Sequence, residues 1–240
     1  ACNRKINKSF AQGFCYPCFI SSPETSECIL KPELCQAHQG VARDMEWAEN
    51  HCLQNHFVYL ATSSGVKVGV TRSQQVPTRW MDQGASQAIL LAKTPNRYTA
   101  GIIEVSLKQH ISDRTQWQRM LKNEIAHVDL TAKRTEIIKL VPDEYQDYLL
   151  TKEDILNIEY PVYEYPSKVK SLSFDKTPVI EGRLMGIKGQ YIIFDDNTRC
   201  STLGICNIKE KTRNISILFC ICTSSLTYLI FILINILNNK

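Results

Sequence analysis

The sequence predicts an α+β protein made of a small cysteine-rich module, a small sheet with flanking helices, and a small C-terminal β subdomain. Three observations predict this fold class. Residues 1–56 are rich in cysteine, proline and glycine and show little hydrophobic periodicity, as small irregular modules do. Residues 57–157 form the predicted core, in which residues 57–130 alternate short β-branched runs with helical patterns and residues 113–157 are predicted to form helices with charged faces. Residues 158–199 return to short strands and turns, and residues 200–240 form an atypical apolar tail.

The composition is that of a folded protein with no dominant charge. Of the 240 residues, 44% are hydrophobic and 22% are charged, which is typical of a globular chain rather than a disordered one. The formal net charge of +4 permits binding to nucleic acid, although dedicated DNA-binding domains are usually more basic. The net charge therefore does not identify a binding partner, and only individual residues can indicate one.

The cysteines are concentrated at the start of the chain. Six of the ten lie in the first 52 residues, and none lies between Cys52 and Cys200. The N-terminus is polar and has no apolar signal-peptide region, so the cluster favours metal binding over disulfides and predicts a cytoplasmic protein. Because the chain starts with Ala1 and Cys2 rather than methionine, we expect residues upstream of it.

Two sets of cysteines predict structural zinc sites. Cys15 and Cys18 form a C-x2-C knuckle, and zinc prefers four such ligands in a tetrahedron. Cys2 supplies a third thiolate, and the spacing predicts its own C-x2-C partner upstream of the first residue. The second set has Cys35 and a histidine at the same knuckle spacing, with two further cysteines, and is made of Cys28, Cys35, His38 and Cys52. Burial as free thiols is the open alternative.

The segment after the cysteines predicts a hairpin, a short helix and a third strand. FVYLAT and VKVGVT, at 57–62 and 66–71, are β-branched runs on either side of a small turn. A helix is expected from Pro77, with Gly84 at its C-terminal cap. SQAILLAKT, at 86–94, is the next apolar run, and it precedes a helix that begins after the N-cap Asn96 and carries apolar residues at helical spacing.

Four polar side chains from these elements form a set suited to phosphodiester cleavage. Strand alternation can place Tyr59 and Lys67 on a common face, with Arg79 on the next helix and Glu104 on the later one. A carboxylate can hold Mg²⁺ through oxygen. An arginine stabilises charge on a phosphate, and a tyrosine or lysine can position or deprotonate a water.

In order and spacing these four residues resemble the motif of the GIY-YIG nuclease superfamily. Its two strand motifs correspond to VYL at 58–60 and KVG at 67–69, its helix arginine to Arg79, and its metal-binding glutamate to Glu104. The resemblance implies a three-stranded sheet with flanking helices, and a nuclease that uses Mg²⁺ or Mn²⁺ at Glu104. Lys67 replaces the second signature tyrosine, as it does in some subfamilies, and Val58 replaces a glycine.

A wider resemblance covers about four-fifths of the chain. From Cys2 to about Asp195 the sequence is similar to an uncharacterised bacterial family that joins a cysteine-rich module, a GIY-YIG-like core and a small β domain. The motifs that carry this likeness are GFCYPCF, CILKPELC, HFVYLATSSGVKVGVTR, PTRWMDQGA and GIKGQYIIFD.

Less specific interpretations stay open beside the nuclease. Arg79 can pair with Asp82, and Glu104 with Lys108, as ordinary helical ion pairs. A second hypothesis is a nucleic-acid-binding protein without turnover. In that case Lys67, Arg79 and two further arginines contact phosphates, and two exposed aromatic side chains stack on bases; these further residues are Arg72, Arg97, Trp80 and Tyr98.

The apolar tail supports a third hypothesis. Residues 215–237 contain no charged side chain and are long enough to cross a hydrocarbon core of about 30 Å. Lys209, Lys211 and Arg213 precede this stretch and would keep the folded part on the cytoplasmic side. The alternative is a divergent or spurious extension, because the tail follows the β subdomain abruptly. The oligomeric state is not indicated by the sequence.

Overall fold

The structure is a computed structural model that describes most of the first two hundred residues and short pieces after them. It describes Cys2, Lys5 and residues 10–11, 13–111, 115–172, 183–195, 198–201, 207–209 and 218–220.

The α-helices are α1 (Tyr16–Ser21), α2 (Met45–His51), α3 (Thr78–Asp82), α4 (Arg97–Lys108), α5 (Trp117–Leu121) and α6 (Leu130–Ile137). The strands are β1 (His56–Thr62), β2 (Val66–Arg72), β3 (Gln87–Thr94), β4 (Leu156–Asn157), β5 (Lys170–Leu172), β6 (Leu184–Lys188), β7 (Tyr191–Phe194), β8 (Thr198–Ser201), β9 (Asn207–Lys209) and β10 (Leu218–Cys220).

The cysteine-rich module is built from short helical turns. Between α1 and α2 the chain forms four 3-10 turns, Pro23–Thr25, Glu27–Ile29, Pro32–Leu34 and Ala37–Gln39. Phe10 and Phe14 form an antiparallel bridge just before α1. The side chain of Asp44 caps α2 by accepting from the backbone N–H of Trp47 at 2.9 Å, which satisfies one of the helix's unpaired donors.

An antiparallel sheet of four strands forms the centre, in the order β2-β1-β3-β4. The predicted hairpin and third strand are confirmed, with Tyr59 opposite Gly69 and Ala61 opposite Lys67. The fourth strand was not expected. Strand β4 has two exposed residues, Leu156 and Asn157, so it is too short to show the alternation on which strand prediction depends.

The two faces of the sheet pack against different helices. Val58, Leu60 and Val68 lie on one face, in the same core as Ile103 and Leu107 of α4. The alternate residues of β1, Tyr59 and Ala61, lie on the other face, in a smaller core with Trp80 of α3. Successive side chains of a strand point to opposite faces, so β1 contributes to both cores.

The helices begin where the sequence predicts capping. Asn96 caps α4 by accepting from the N–H of Thr99 at 2.9 Å, and α4 ends at Lys108. After α3, Gly84 adopts a φ of +67°, a left-handed conformation that favours glycine at a helix C-terminus. The predicted helices of 113–157 are short, being α5, α6 and 3-10 turns at Ile138–Leu140 and Asp143–Tyr148.

The C-terminal β subdomain is a second sheet in the order β5-β8-β7-β6. Its β6–β7 hairpin packs beside α3, because a Cβ on Gly189 would lie 2.9 Å from the carbonyl oxygen of Asp82. Ile193 of β7 joins Met120 and Leu121 of α5 in a third apolar cluster.

The predicted membrane anchor lies largely outside the described residues. Of residues 215–237 the structure describes only β10, which pairs antiparallel with β9. Within the described part of the chain, no helix has the length and hydrophobicity that crossing a bilayer requires. The membrane anchor and the cytoplasmic location stay predictions.

Candidate active site and cysteine clusters

A cavity of about 190 Å³ lies beside strand β2, and the four predicted catalytic residues all line it. Tyr59 comes from β1, Lys67 from β2, Arg79 from α3 and Glu104 from α4. Residues 45 positions apart in the sequence therefore meet at one place. The sheet does not separate Glu104 from Arg79, since both side chains face the same cavity.

Tyr59 is held at the floor of the cavity by packing and by a hydrogen bond to Gln83. Its side chain is fully buried, and its hydroxyl donates to Oε1 of Gln83 at 3.0 Å. A Cβ on Gly69, directly opposite, would lie 2.7 Å from the tyrosine ring, so only glycine leaves room for the ring. Burial raises the pKa of Tyr59, although the charge of Arg79 opposes this. The hydroxyl therefore keeps its proton at neutral pH and directs it to Gln83.

Lys67 lies on the same face of the hairpin as Tyr59. It is paired with Ala61, which is two residues along β1 from Tyr59, and residues two apart on a strand share a face. Only 6% of Lys67 is exposed, and its Nζ donates to Oγ1 of Thr115 at 2.9 Å. The ammonium group therefore adds positive charge at the cavity with its side chain held in place.

Among the described residues that line this cavity, Glu104 is the one carboxylate. It is 7% exposed, and its Oε2 lies 3.4 Å from Nζ of Lys108, so the expected helical ion pair is present. Arg79 is exposed, and within the described residues no ion pair joins it to Asp82. Mg²⁺ is usually held by one or two carboxylates, with waters and substrate phosphates completing its shell. One buried carboxylate fits that donor set.

The cysteine-rich module supplies one wall of the cavity. Ile29, Leu30 and Pro32 line it, and Leu30 is 86% exposed at its rim. The module reaches this position by close packing on α4, since a Cβ on Gly101 would lie 2.5 Å from the carbonyl carbon of Pro32. The absence of a side chain at Gly101 is therefore what allows the module to form this wall.

The first cysteine triad is Cys2, Cys15 and Cys18. Their sulfur atoms lie within 4.8 Å of one another, and those of Cys2 and Cys15 are 3.6 Å apart. Cys15 is the N-cap residue of α1, while Cys2 is exposed. Hydrogen bonds from Cys15 and Cys2 raise the pKa of Cys18 to about 11. This triad can hold a metal ion such as zinc, with one tetrahedral position left to another ligand.

The second cysteine triad is Cys28, Cys35 and Cys52, whose sulfur atoms also lie within 4.8 Å of one another. Cys35 and Cys52 are buried. Hydrogen bonds from Cys28 and Cys52 lower the pKa of Cys35, which favours the thiolate, the form that binds zinc. This triad can also hold a metal ion.

His38 does not join the second triad. It is not among the ligand atoms that lie within 4.8 Å of one another, and its ring stacks on Tyr98 at 4.3 Å with an interplanar angle of 25°. His38 has the C-x2-H spacing from Cys35 that a zinc knuckle requires, but its imidazole ring packs on Tyr98 instead of facing the three sulfur atoms. Its role as a zinc ligand stays a prediction that this conformation does not favour.

The expected phosphate contact at Arg97 does not fit the structure. Arg97 is only 9% exposed, and its guanidinium donates to the carbonyl oxygens of Cys28 at 3.2 Å and His51 at 3.3 Å. Its backbone N–H also donates to the carbonyl of Cys52 at 2.8 Å. These hydrogen bonds from Arg97 therefore link the start of α4 to the backbone at Cys28 and Cys52 of the second triad.

The other predicted nucleic-acid contacts lie outside the cavity lining. Arg72, at the end of β2, is partly buried, and burial lowers its pKa. Trp80 was expected to be exposed, but it is 4% exposed and packs at 5.7 Å from the Tyr59 ring. Tyr98 is partly buried against the second triad. A stacking surface for single-stranded bases is therefore not formed by Trp80.

The sequence analysis did not predict several residues that line the cavity or contact its lining. Gln83, which accepts from Tyr59, lies four residues after Arg79, so helical spacing could have indicated it. Lys108 was considered only as an ion-pair partner of Glu104. Thr115 and the Ile29–Pro32 wall come from distant segments, and no local signal points to them.

Fold and site together define a mixed α+β protein with two cysteine triads and a separate polar cavity. The chain belongs to the family described as protein of unknown function (DUF2797), whose model matches residues 1–213. No curated protein and no solved structure gives a significant match.

Proposed function

We propose that the protein is a metal-dependent nuclease of the GIY-YIG type that acts on DNA or RNA, with zinc at the cysteine triads as a structural element. The observation that supports this proposal most strongly is that Tyr59, Lys67, Arg79 and Glu104 all line one cavity. They come from two strands and two helices, and a concave site that holds a buried carboxylate, two cations and a hydrogen-bonded tyrosine has the groups that a reaction site requires.

The residues have separate roles in hydrolysis of a phosphodiester. A Mg²⁺ or Mn²⁺ ion held by Glu104 would supply positive charge for the phosphate oxygens. The exposed Arg79 reaches the scissile phosphate and stabilises the charge that develops on it. The Lys67 ammonium adds a second positive charge beside the same group.

Tyr59 positions the attacking water. Because its hydroxyl proton is directed to Gln83, a lone pair of the tyrosine oxygen accepts a hydrogen bond from the water. The water oxygen then bonds to phosphorus, and the bond from phosphorus to the leaving sugar oxygen breaks. The water loses one proton to solvent and the leaving oxygen gains one, so the reaction is a net hydrolysis.

Cleavage of labelled nucleic acid tests the proposal. The zinc-loaded full chain is incubated with labelled single-stranded DNA, duplex DNA and RNA in Mg²⁺, Mn²⁺ or EDTA. We expect cleavage that requires the divalent ion and that falls at least about 100-fold in Glu104→Ala, as removal of one electrostatic group at a reaction centre does. Glu49→Ala is the matched control, since Glu49 is exposed on α2.

A protein that cuts none of these substrates in any divalent metal would contradict the proposal. Salt-dependent binding without cleavage would instead select a non-catalytic nucleic-acid-binding protein. In that case Lys67 and Arg79 are phosphate contacts, and their replacement by methionine lowers affinity and the salt dependence together.

A further inference from the structure

A second cavity, of about 290 Å³, lies between the central sheet and the C-terminal β subdomain. Its lining contains Lys188 of β6 and the two tyrosines Tyr160 and Tyr165. None of the residues that line it lines the cavity beside β2. Its volume lies just below the range for small-molecule sites, which is about 300–1,000 Å³, so the ligand has to be small.

Lys188 is buried in this cavity with few partners. Only 1% of the residue is exposed. Its Nζ donates to Oδ1 of Asn123 at 2.7 Å and lies 5.0 Å and 5.5 Å from the ring centres of Tyr165 and Tyr160. An ammonium group has three donors, and among the described residues only Asn123 accepts a hydrogen bond from Lys188.

No carboxylate balances the charge of Lys188 in the described part of the chain. Glu159 lines the same cavity but is exposed, and it forms no ion pair with Lys188. The pKa of Lys188 is lowered to about 8 by burial, so the side chain is still mostly protonated at neutral pH. A buried cation without a counter-ion is unfavourable, and an anion from solution would relieve this.

The rest of the lining fits an organic anion better than an inorganic ion. Ile125, Ile158 and Val162 provide an apolar wall, while Ser86 and Asn123 provide polar groups. We propose that this cavity binds a small organic anion, with its phosphate or carboxylate group on the ammonium of Lys188 and its apolar or aromatic body against the isoleucine wall.

Calorimetric titration of the full chain tests this site without nucleic acid or a divalent ion, so its outcome is independent of the nuclease proposal. The probes are phenyl phosphate, benzoate and, as a neutral analogue, benzyl alcohol. We expect both anions to bind at least about tenfold more tightly than benzyl alcohol, which corresponds to about 1.4 kcal/mol.

Lys188→Met removes the charge and keeps the length of the side chain. It should reduce the affinity for both anions by at least about tenfold and leave benzyl alcohol unaffected, while Lys168→Met, an exposed lysine of the same region, should bind like the wild type. Anions that bind no better than benzyl alcohol, or that bind Lys188→Met as well as the wild type, would overturn the proposal.

Chemical-shift mapping on the wild-type protein covers the case in which Lys188→Met does not fold. Addition of phenyl phosphate should shift the side-chain amide of Asn123 and the backbone amide of Gly189. Shifts confined to other parts of the molecule, or none at millimolar ligand, would contradict the site.

Discussion

The two cysteine triads have the same ligands but different surroundings. The first, Cys2, Cys15 and Cys18, includes an exposed cysteine, and the bridge between Phe10 and Phe14 directly precedes Cys15 in the chain. The second is made of Cys28, Cys35 and Cys52, is mostly buried, and is fastened to α4 through Arg97. Only the second is adjacent in sequence to the wall of the candidate active site.

Because their surroundings differ, zinc binding at the two triads should stabilise different parts of the protein. A zinc ion at the first triad would stabilise only the turn between Cys15 and Cys18 and its contact with Cys2. A zinc ion at the second triad would fix the segment from Cys28 to Cys35, which includes Ile29, Leu30 and Pro32 of the cavity wall. Loss of metal from the second triad should therefore alter the cavity, and loss from the first should not.

The largest effect is expected from Cys35→Ala. It removes a buried thiolate of the second triad, so we expect one zinc fewer per chain and a fall in Tm on the order of 10 °C, because losing a structural metal removes several kcal/mol of folding free energy. Zinc analysis and thermal unfolding measure both. Cys18→Ala is the matched control at the first triad, with loss of metal but a smaller fall in Tm and unchanged nucleic-acid cleavage. Equal effects of the two variants on cleavage would remove the distinction between the triads.

Arg97→Met tests the link between the second triad and α4. The variant leaves the carbonyl oxygens of Cys28 and His51 without their donor, and each unsatisfied buried group costs about 1–3 kcal/mol. We expect the free energy of unfolding in urea to fall by about 2–3 kcal/mol, with the salt dependence of nucleic-acid binding unchanged. Arg72→Met is the comparison, because Arg72 is a partly buried arginine that feels the charge of Cys52 but donates no described hydrogen bond to the triad segments. A lower salt dependence in Arg97→Met would mean that Arg97 contacts phosphate after all.

Gly101→Ala should have a smaller effect that acts through packing. The added methyl group meets the backbone of Pro32 and Glu33, so the 3-10 turn at Pro32–Leu34 has to move away from α4. Overpacking of this kind costs about 1–3 kcal/mol, which the better helix propensity of alanine partly offsets. Chemical denaturation measures the loss, and the difference between Ser106→Gly and Ser106→Ala, at a partly exposed position of the same helix, gives the contribution of helix propensity. A Gly101→Ala protein as stable as the wild type would show that the contact is not tight.

The smallest effect is expected from His38→Ala. In the structure this side chain stacks on Tyr98 rather than joining the sulfur atoms, so its loss should cost about 0.5–1.5 kcal/mol and leave the zinc content unchanged. Metal analysis of the purified variant shows whether His38 acts as a zinc ligand or only packs against Tyr98. Loss of one zinc would restore His38 as the fourth ligand of the second triad.

Local patterns in the sequence were sufficient for the central hairpin, its third strand, helices α3 and α4, and the polar set. Alternation along β1 and β2 predicted the shared face of Tyr59 and Lys67, and the confirmed register bears this out. Asn96 marked a helix start through the capping ability of its side chain, and Gly84 marked a helix end through its left-handed backbone conformation. The cysteine spacings indicated both clusters, since thiolates near one another in sequence can meet through a tight turn.

The remaining features depend on contacts between distant segments. Arg97 looks like a surface cation in the sequence, and only the packing of the module on α4 buries it. The contact of Gly101 with Pro32 joins residues about seventy positions apart. His38 has correct knuckle spacing, but the competing stack on Tyr98 is not visible in sequence. No sequence pattern indicated that Lys188 is buried in a cavity, because a lysine on a strand is usually exposed to solvent.

The central claim is that the cavity beside β2 binds a divalent cation and a phosphate together. Paramagnetic line broadening by Mn²⁺ tests this without requiring turnover, with thymidine 5′-monophosphate as the phosphate probe and the zinc-loaded ¹⁵N-labelled protein as the sample. The account predicts that Mn²⁺ with the nucleotide broadens the amide signals of Gly69 and Gln83 first, and that Glu104→Gln abolishes this broadening. Broadening centred elsewhere, or persisting unchanged in Glu104→Gln, would contradict it.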